Sequence, residues 1–219
     1  MVYRQTPRSE RVRGATRGAI LAAAKKLFSQ RGYDATTMQD IVSEADTSIG
    51  NAYFYFANKE AIISDLVEEA FRGAWAQADI ACESVEQGAA RIAVAIYANI
   101  INFLVTDREM ARIAVTGIPS VLSHILELHA DRLNRLFVAN FPDRSEKELL
   151  LSAAAVGGAN RWVIELTLSG KLNVPAPELG AFMIRWHLRA LQCPEKEIDR
   201  VVRIARRTLT PAKVGKRAS

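Results

Sequence analysis

The sequence predicts an all-α protein, with a small helix-turn-helix head followed by a larger helical body. Apolar residues recur at spacings of three and four along almost the whole chain, which places them on one face of a helix. No stretch between turn signals keeps the apolar–polar alternation of a strand. A chain of 219 residues suits a head fused to a larger body, and a hydrophobic fraction of 49% allows a sizeable core.

The head is predicted from signals that start and stop three helices. The first helix covers about residues 11–30 and stops at Gly32. Thr37 can cap a second helix over 38–45, because a hydroxyl oxygen at that position accepts a backbone N–H. A tight turn then leads into a third short helix over 48–54.

The body begins with a long fourth helix, which Asn58 can cap and which runs to about Cys82. Proline and glycine clusters divide the remainder into further helices. These are predicted near 85–105, 107–116, 119–140, 145–169, 177–192 and 194–209. Residues 210–219 are basic and lack apolar periodicity, so we expect a disordered tail.

Charge is distributed unevenly along the chain. Residues 1–31 carry eight basic side chains and one acidic side chain, and residues 196–219 carry eight basic and two acidic ones. Because the whole chain has a net charge of +5, the segment between them is acidic. A basic end on an acidic body is typical of a head that binds a polyanion, although two solvated basic tails would give the same totals.

Several classes of protein lack support in the sequence. The first residues are polar and arginine-rich, without the apolar segment of a signal peptide, and the longest apolar runs contain Asn99 and Asn160. We therefore expect no membrane span and a cytoplasmic protein. Two cysteines far apart predict neither a disulfide nor a zinc site, and His124 and His129 are five residues apart, so no metal is expected. Without a catalytic motif or a phosphate-binding glycine loop, we expect neither an enzyme nor a cofactor.

The run from Ile20 through Ile62 resembles the N-terminal head of the tetracycline-repressor (TetR) family. Two short helices joined by a tight turn and packed on a third form a helix-turn-helix. The residues that carry the resemblance are Ile20, Ala23, Ala24, Leu27, Phe28, Gly32, Tyr33, Thr36, Thr37, Ile41, Val42, Glu44, Ala45, Ser48, Gly50, Tyr53, Phe56, Lys59, Glu60 and Ile62.

The resemblance implies a DNA-binding domain over residues 1–57 with a basic N-terminal arm, and a ligand-binding and dimerisation domain over 58–209. Its partners would be double-stranded operator DNA, a small-molecule effector and a second copy of the chain. The chain would then act as a repressor that an effector releases from a palindromic operator. The residues implied in DNA binding are Thr37, Thr47, Ser48, Ile49, Gly50, Asn51, Tyr53, Tyr55 and Lys59.

Within that set, the resemblance implies that Thr37, Tyr53 and Lys59 touch phosphates. Asn51 is the best candidate for reading a base, since an amide can bond an adenine edge with two hydrogen bonds. Core packing is the alternative role of Tyr53 and Phe56.

Two positions depart from the family pattern. Asp46 stands where the family commonly has glycine, and Ile49 stands where it has lysine or arginine. Ile49 removes one polar contact and can instead meet a thymine methyl group or pack inside the head. DNA affinity would then depend more on the N-terminal arginines.

In the body, the resemblance implies that the last two long helices pair across a two-fold axis. The 145–169 helix has small residues at 153–155 and 157–159, and the 177–192 helix carries Leu179, Phe182, Met183, Trp186 and Leu188. Burial inside one subunit is the alternative. Candidates for the effector pocket, chosen by helix position, are Tyr97, Ile101, Phe103, Met110, His124, Leu128, Trp162 and Glu165.

Arg161 and Glu165 lie one helical turn apart in an otherwise apolar helix. The pair can bind a polar ligand group, join two subunits or face solvent. The fourth helix joins head to body and is the natural lever between them. Two other classes of protein remain open: a helical binding or enzymatic bundle with an incidental basic end, and a constitutive architectural DNA binder without a ligand.

Overall fold

The computed structural model describes residues 7–115 and 119–209. These residues form ten α-helices, one π-helical turn and no strand, so the predicted all-α class is confirmed. The helices are α1 (Pro7–Arg31), α2 (Met38–Glu44), α3 (Ile49–Tyr55), α4 (Lys59–Glu83), α5 (Ala89–Ile101), α6 (Arg108–Val115), α7 (Pro119–Asn140), α8 (Glu146–Leu168), α9 (Ala176–Ala190) and α10 (Glu195–Thr208), with the π-helical turn at Asn102–Thr106 between α5 and α6. The predicted 210–219 tail lies outside the described residues.

Helix starts follow the capping signals. Thr37 Oγ1 accepts the Asp40 N–H at 3.1 Å, and Asp40 Oδ2 accepts the Thr37 N–H at 2.8 Å, which forms a complete capping box. Asn58 Oδ1 accepts the Ala61 N–H at 2.8 Å, and Ser145 Oγ accepts the Glu148 N–H at 3.2 Å. The predicted boundaries of α2, α3, α4 and α8 therefore hold to within one residue.

The predicted helix over 85–105 is wrong at both ends. It starts at Ala89, because Gly88 has φ +86°, a left-handed conformation that cannot continue a helix. From Asn102 to Thr106 the chain forms a π-helical turn, in which one extra residue is inserted into the hydrogen-bond ladder. This turn sets the direction in which Phe103 and the following α6 point.

Two hydrophobic clusters stabilise the fold. One joins α1, α2 and α3 to the first half of α4 and to Met110 and Ile113 of α6. The other surrounds α5 with the second half of α4 and with α7 to α10. Phe71 of α4 packs against both clusters. The hydrophobic cluster of the head thus includes residues of α4 and α6, beyond the domain boundary predicted after residue 57. The boundary itself stays a prediction.

Helix α5 is the centre of the body. Ile92, Ile96 and Ile100 are fully buried, and α4, α9 and α10 pack around them. Among the described residues, the stretch Ala89–Thr106 is long and apolar enough to cross a membrane, but 78% of it is buried inside the fold. Such burial is typical of the core helix of a folded domain.

Candidate nucleic-acid interface and internal cavity

The turn between α2 and α3 has the geometry of a helix-turn-helix. Asp46 has φ +49°, in the left-handed region that aspartate tolerates better than most residues, so its departure from glycine leaves the turn intact. The Thr47 N–H donates to the Val42 carbonyl at 3.0 Å and holds the two helices together. Ile41, Val42 and Ala52 are buried beneath the turn.

Polar residues at the start of α3 are held by local hydrogen bonds. Ser48 Oγ caps the helix by accepting the Asn51 N–H at 3.1 Å. The side-chain Nδ2 of Asn51 donates a hydrogen bond to Thr47 Oγ1 at 2.9 Å. This bond fixes the direction of the side-chain amide, and the Oδ1 of Asn51 takes no part in it. Ser48 and Gly50 are exposed.

The aromatic residues of α3 fall into two groups. Tyr53 is 52% exposed, so core packing does not explain it, whereas Phe56 is 2% exposed and belongs to the head core. Tyr55 is half-buried and meets Phe54 edge-on, with ring centroids 5.1 Å apart. Ile49 is 38% exposed, at the edge of the same surface.

Lys59 binds within the head. Its Nζ donates to the carbonyl oxygens of Tyr33 and Thr36, at 2.6 and 2.7 Å, and lies 3.9 Å from the centre of the Tyr33 ring. Lys59 therefore ties the loop between α1 and α2 to the start of α4. Only its third ammonium hydrogen remains for the predicted phosphate contact.

Four positive charges of the head are paired inside the protein. Arg17 binds Asp65, Lys25 binds Asp107, Lys26 binds Glu44 and Arg31 binds Asp40. Hydrogen bonds from the Thr37 hydroxyl and backbone N–H, helped by Arg31, lower the pKa of Asp40 to about 2. These four acids offset half of the eight positive charges counted in residues 1–31.

The body encloses a small cavity of about 40 Å³. Its apolar wall includes Phe71, Phe103, Ala111 and Ile164, and its polar wall consists of Asn99, His129, Asn160 and Arg161. Three buried polar atoms at this end have no hydrogen-bond partner among the described residues: Asn160 Oδ1, Arg161 Nε and Glu165 Oε2. The distance from Arg161 Nη2 to Glu165 Oε2 is 3.8 Å, and each of the two side chains is about one-third exposed. Unpaired buried polar atoms are costly, so this end of the cavity suits a polar guest.

His129 forms the outer wall of this cavity. Its Nδ1 accepts the Trp75 indole N–H at 3.2 Å, so its proton is on Nε2, and burial lowers its pKa to about 4. Gly157 lies behind the ring, where a Cβ would come within 3.3 Å of His129 Cδ2. On the other side of Phe71 and His129 lies an open groove of about 350 Å³, lined also by Trp75 and Arg132.

The effector-pocket residues chosen from the sequence are mostly elsewhere. Phe103 lines the cavity, and Glu165 lies beside Arg161. The others do not line it: Tyr97 packs on Gly180, Ile101 lies in the body core, Met110 belongs to the head cluster, and Leu128 and Trp162 are exposed. The side chain of His124 lies outside what the structure describes.

The candidates were chosen by position along a helix, but which face of a helix borders a cavity depends on how the helices cross; α5, for example, packs Tyr97 against Gly180 of α9. Among the cavity residues that the prediction missed, Asn99 and Asn160 carried a readable signal. An amide within an apolar helix is buried only where it has a use, and both interrupt otherwise apolar stretches.

Comparison with known proteins agrees with this geometry. Residues 20–66 match the family model described as bacterial regulatory proteins, tetR family. The HTH-type transcriptional regulator QacR of Staphylococcus aureus is 35% identical over 68 residues, which cover 30% of this chain and 36% of that protein. The match thus spans about a third of that relative's length.

Two solved structures share the fold over most of both chains. A putative TetR-family transcriptional regulator from Syntrophomonas wolfei superimposes with a TM-score of 0.71 at 16% identity, covering 80% of this chain and 95% of that one. The regulator FadR from Bacillus subtilis, in complex with stearoyl-CoA, gives a TM-score of 0.66 at 14% identity, covering 78% and 96%.

Fold and head together define a helix-turn-helix protein with a helical body. Residues 20–66 of the head are similar to the tetR family of bacterial regulatory proteins, and the whole fold is shared with solved regulators of that family.

Proposed function

We propose that this chain is a cytoplasmic, homodimeric transcriptional repressor, which a small-molecule effector releases from a two-fold symmetric DNA operator. The observation that carries the proposal is the exposed face of α3, where Ser48, Gly50 and Tyr53 reach the surface and the Thr47–Asn51 hydrogen bond orients an amide. An α-helix presented in this way fits the DNA major groove. The family model covering residues 20–66 supports the same role.

The DNA contacts proposed are those predicted from the sequence. Thr47, Ser48, Ile49, Gly50, Asn51 and Tyr55 face the groove, and Thr37, Tyr53 and Lys59 meet phosphates. A phosphate beside Thr37 would also approach Asp40, and Arg31, 2.8 Å from that carboxylate, offsets its charge.

The effector is proposed to bind in the internal cavity. A space of about 40 Å³ admits little more than water, so an effector must enlarge it. Moving Phe71 and His129 would join the cavity to the outer groove, because both residues border both spaces. The combined site would suit a molecule with an apolar body and a polar end that bonds Asn160 and Arg161. FadR, which shares this fold, was solved in complex with stearoyl-CoA, and this supports the proposal that a protein of this fold binds an amphipathic small molecule.

The route from the cavity to the head is short. Phe103 lines the cavity within the π-helical turn, and Asp107 follows directly after that turn. The Asp107 carboxylate accepts hydrogen bonds from Lys25 Nζ of α1 at 3.0 and 3.1 Å. An effector that displaces Phe103 would therefore move α1, together with α4, the helix that is expected to transmit motion between body and head. By linkage, DNA must weaken effector binding by the same factor.

A dimer is proposed through α8 and α9. Leu151, Ala155, Gly158 and Trp162 form an exposed stripe along α8 at helical spacing. Phe182 and Trp186 are exposed on α9, at 59% and 46%. Of the interface residues expected from the sequence, Leu179, Met183 and Leu188 are instead buried within the subunit, because α9 packs that face on α5 and α10.

A selection of binding sites from a random DNA library, at near-physiological salt with competitor, tests the proposal. We expect a palindrome to be enriched and its binding to be lost in Tyr53→Ala, while circular dichroism stays unchanged because Tyr53 is half exposed. Asn160→Leu with Arg161→Met should keep operator binding and abolish release by any compound that stabilises the wild-type protein. Enrichment of no sequence by the folded wild type would refute the proposed function.

A further inference from the structure

Phe54 lies in the middle of the surface that α3 presents outward. Successive helix residues are about 100° apart, so Gly50 and Phe54 lie about 200° around the helix from the buried Ala52, on the opposite side. The Phe54 side chain is 65% exposed, the most exposed of the large apolar side chains among the described residues. The face proposed to enter the groove thus carries a bare aromatic ring.

Neighbouring residues hold this ring in place and leave space beside it. Phe54 meets Tyr55 edge-on at 88°, and the Arg13 guanidinium of α1 lies 5.5 Å from its centroid. One turn earlier, a Cβ on Gly50 would meet nothing within 4 Å. A base-pair edge can therefore approach the ring closely over Gly50.

The chemistry of the ring limits what it can recognise. Phenylalanine has no polar atom to donate or accept a hydrogen bond, and the apolar group exposed in the major groove is the 5-methyl group of thymine. Arg13 adds a cation at the same edge of the head, within reach of a phosphate next to the contacted base. Arg17, Lys25, Lys26 and Arg31 of the same helix are instead bound to acidic side chains.

We propose that Phe54 is a specificity-determining residue that reads a thymine through its 5-methyl group, and that Arg13 positions the ring and binds the adjoining phosphate. This inference rests on the proposed function, because it requires α3 to enter the major groove. Phe54 would supply a base contact in a helix that has lost a polar one, because Ile49 stands where the family pattern has lysine or arginine.

Deoxyuridine, which lacks only the 5-methyl group, provides the direct test. The selected operator is resynthesised with each thymine pair of the two half-sites replaced in turn, and affinity is measured for the full-length protein. We expect one symmetric pair to weaken wild-type binding by about fifteenfold, from roughly fourfold per lost methyl contact in each half-site. In Phe54→Ala, the same replacement should have no further effect.

Matched variants separate readout from general loss of binding. Phe54→Leu keeps an apolar contact and should keep sensitivity to deoxyuridine, whereas Arg13→Gln should weaken all sequences alike and reduce the salt dependence of binding. Both positions are exposed, so circular dichroism should match the wild type.

Three results would overturn the inference. Equal sensitivity to deoxyuridine in wild type and Phe54→Ala, or no sensitivity in either, would assign the ring another role while leaving the regulator proposal intact. Unchanged operator affinity in Phe54→Ala together with altered self-association would make Phe54 a protein contact. Failure of the wild type to select any sequence would remove both proposals together.

Discussion

At the residue scale, the start of α2 shows how a few side chains set local stability and charge. Thr37 and Asp40 cap each other, and Arg31 joins them from α1. These contacts stabilise the ionised form of the Asp40 carboxylate, whose pKa falls to about 2. The segment proposed to meet DNA is thereby fixed before DNA arrives.

Acid should weaken this capping box. The pKa of Asp40 is lower in the folded chain than its usual value of 3.8, so its contribution is present above pH 3.8 and is lost as pH falls through about 2. Asp40→Asn should therefore be less stable than wild type at pH 5, and the difference should shrink towards pH 2. Urea unfolding at pH 5, 3 and 2 measures this. A difference that does not change with pH would contradict the prediction.

Gly180 should not tolerate a side chain. A Cβ there would lie 2.6 Å from Cδ2 of Tyr97, where α9 crosses α5. Gly180→Ala should destabilise the fold by about 1–3 kcal/mol, the usual cost of overpacking a core. Gly73→Ala is the control, because Gly73 lies in α4 with open space around it and alanine favours helix. Thermal unfolding measures the stability of both variants, and a Gly180→Ala protein as stable as the wild type would contradict the prediction.

At the element scale, the junction of the π-helical turn and α6 connects body to head. Asp107 binds Lys25 of α1, and its Oδ1 also accepts the Met110 N–H at 3.1 Å, which caps α6. Glu109 of α6 accepts a hydrogen bond from the Ser29 hydroxyl of α1. The beginning of α6 is thus fixed to the head, while its Ala111 and Ala114 line the cavity.

The two roles of Asp107 can be separated by substitution. Asp107→Asn keeps a capping oxygen and removes the charge, so it should cost less than about 1 kcal/mol, since the ion pair is one-third exposed. Asp107→Ala also removes the cap and should cost about 1 kcal/mol more. Urea unfolding, combined with Lys25→Met in a double-mutant cycle, measures both values. Equal costs for the two Asp107 variants would show that the cap contributes nothing.

At the scale of the whole molecule, two buried histidines make the body sensitive to acid. Burial lowers the pKa of both His129 and His187 to about 4. His187 Nδ1 lies 2.5 Å from the Met183 carbonyl oxygen, to which it donates. Both rings are therefore neutral in the folded chain near pH 7.

In the unfolded chain each of the two histidines binds a proton with the ordinary pKa of 6.5, whereas in the folded chain each binds it with a pKa of about 4. Stability should therefore be complete above pH 6.5 and fall between pH 6.5 and 4, by about 3 kcal/mol for each histidine. In His129→Gln about half of that fall should disappear. Unfolding free energies measured from pH 7 to 4.5 test this, and an identical slope in the variant would contradict it.

The exposed face of α8 and α9 predicts the behaviour of the assembly. A charge placed there should be costly in the dimer and harmless in the monomer, because Leu151 and Phe182 are 63% and 59% exposed in the single chain. Leu151→Glu with Phe182→Glu should yield a folded monomer in sedimentation velocity and lower operator affinity at least tenfold. Ile80→Glu, at a position on α4 that is 51% exposed, is the control. A variant that remains dimeric would place the interface elsewhere.

The sequence by itself determined what depends on local interactions. Capping residues such as Thr37, Asn58 and Ser145 marked helix starts, because their hydrogen bonds reach only three residues along the chain. The spacing of apolar residues fixed the all-α class. The short motif around the turn was sufficient to indicate the family of the head.

Only the tertiary structure decided which distant side chains meet. These contacts depend on how helices far apart in sequence cross. Lys25 pairs with Asp107, Lys59 binds the carbonyls of Tyr33 and Thr36, and Asn99 and Asn160 line one cavity. The π-helical turn at Asn102–Thr106 inserts one residue into the regular helical repeat, which helical periodicity does not anticipate. The physical reason is range: caps and periodicity act within a turn or two of helix, whereas a cavity and an ion pair between helices depend on the packing of the whole chain.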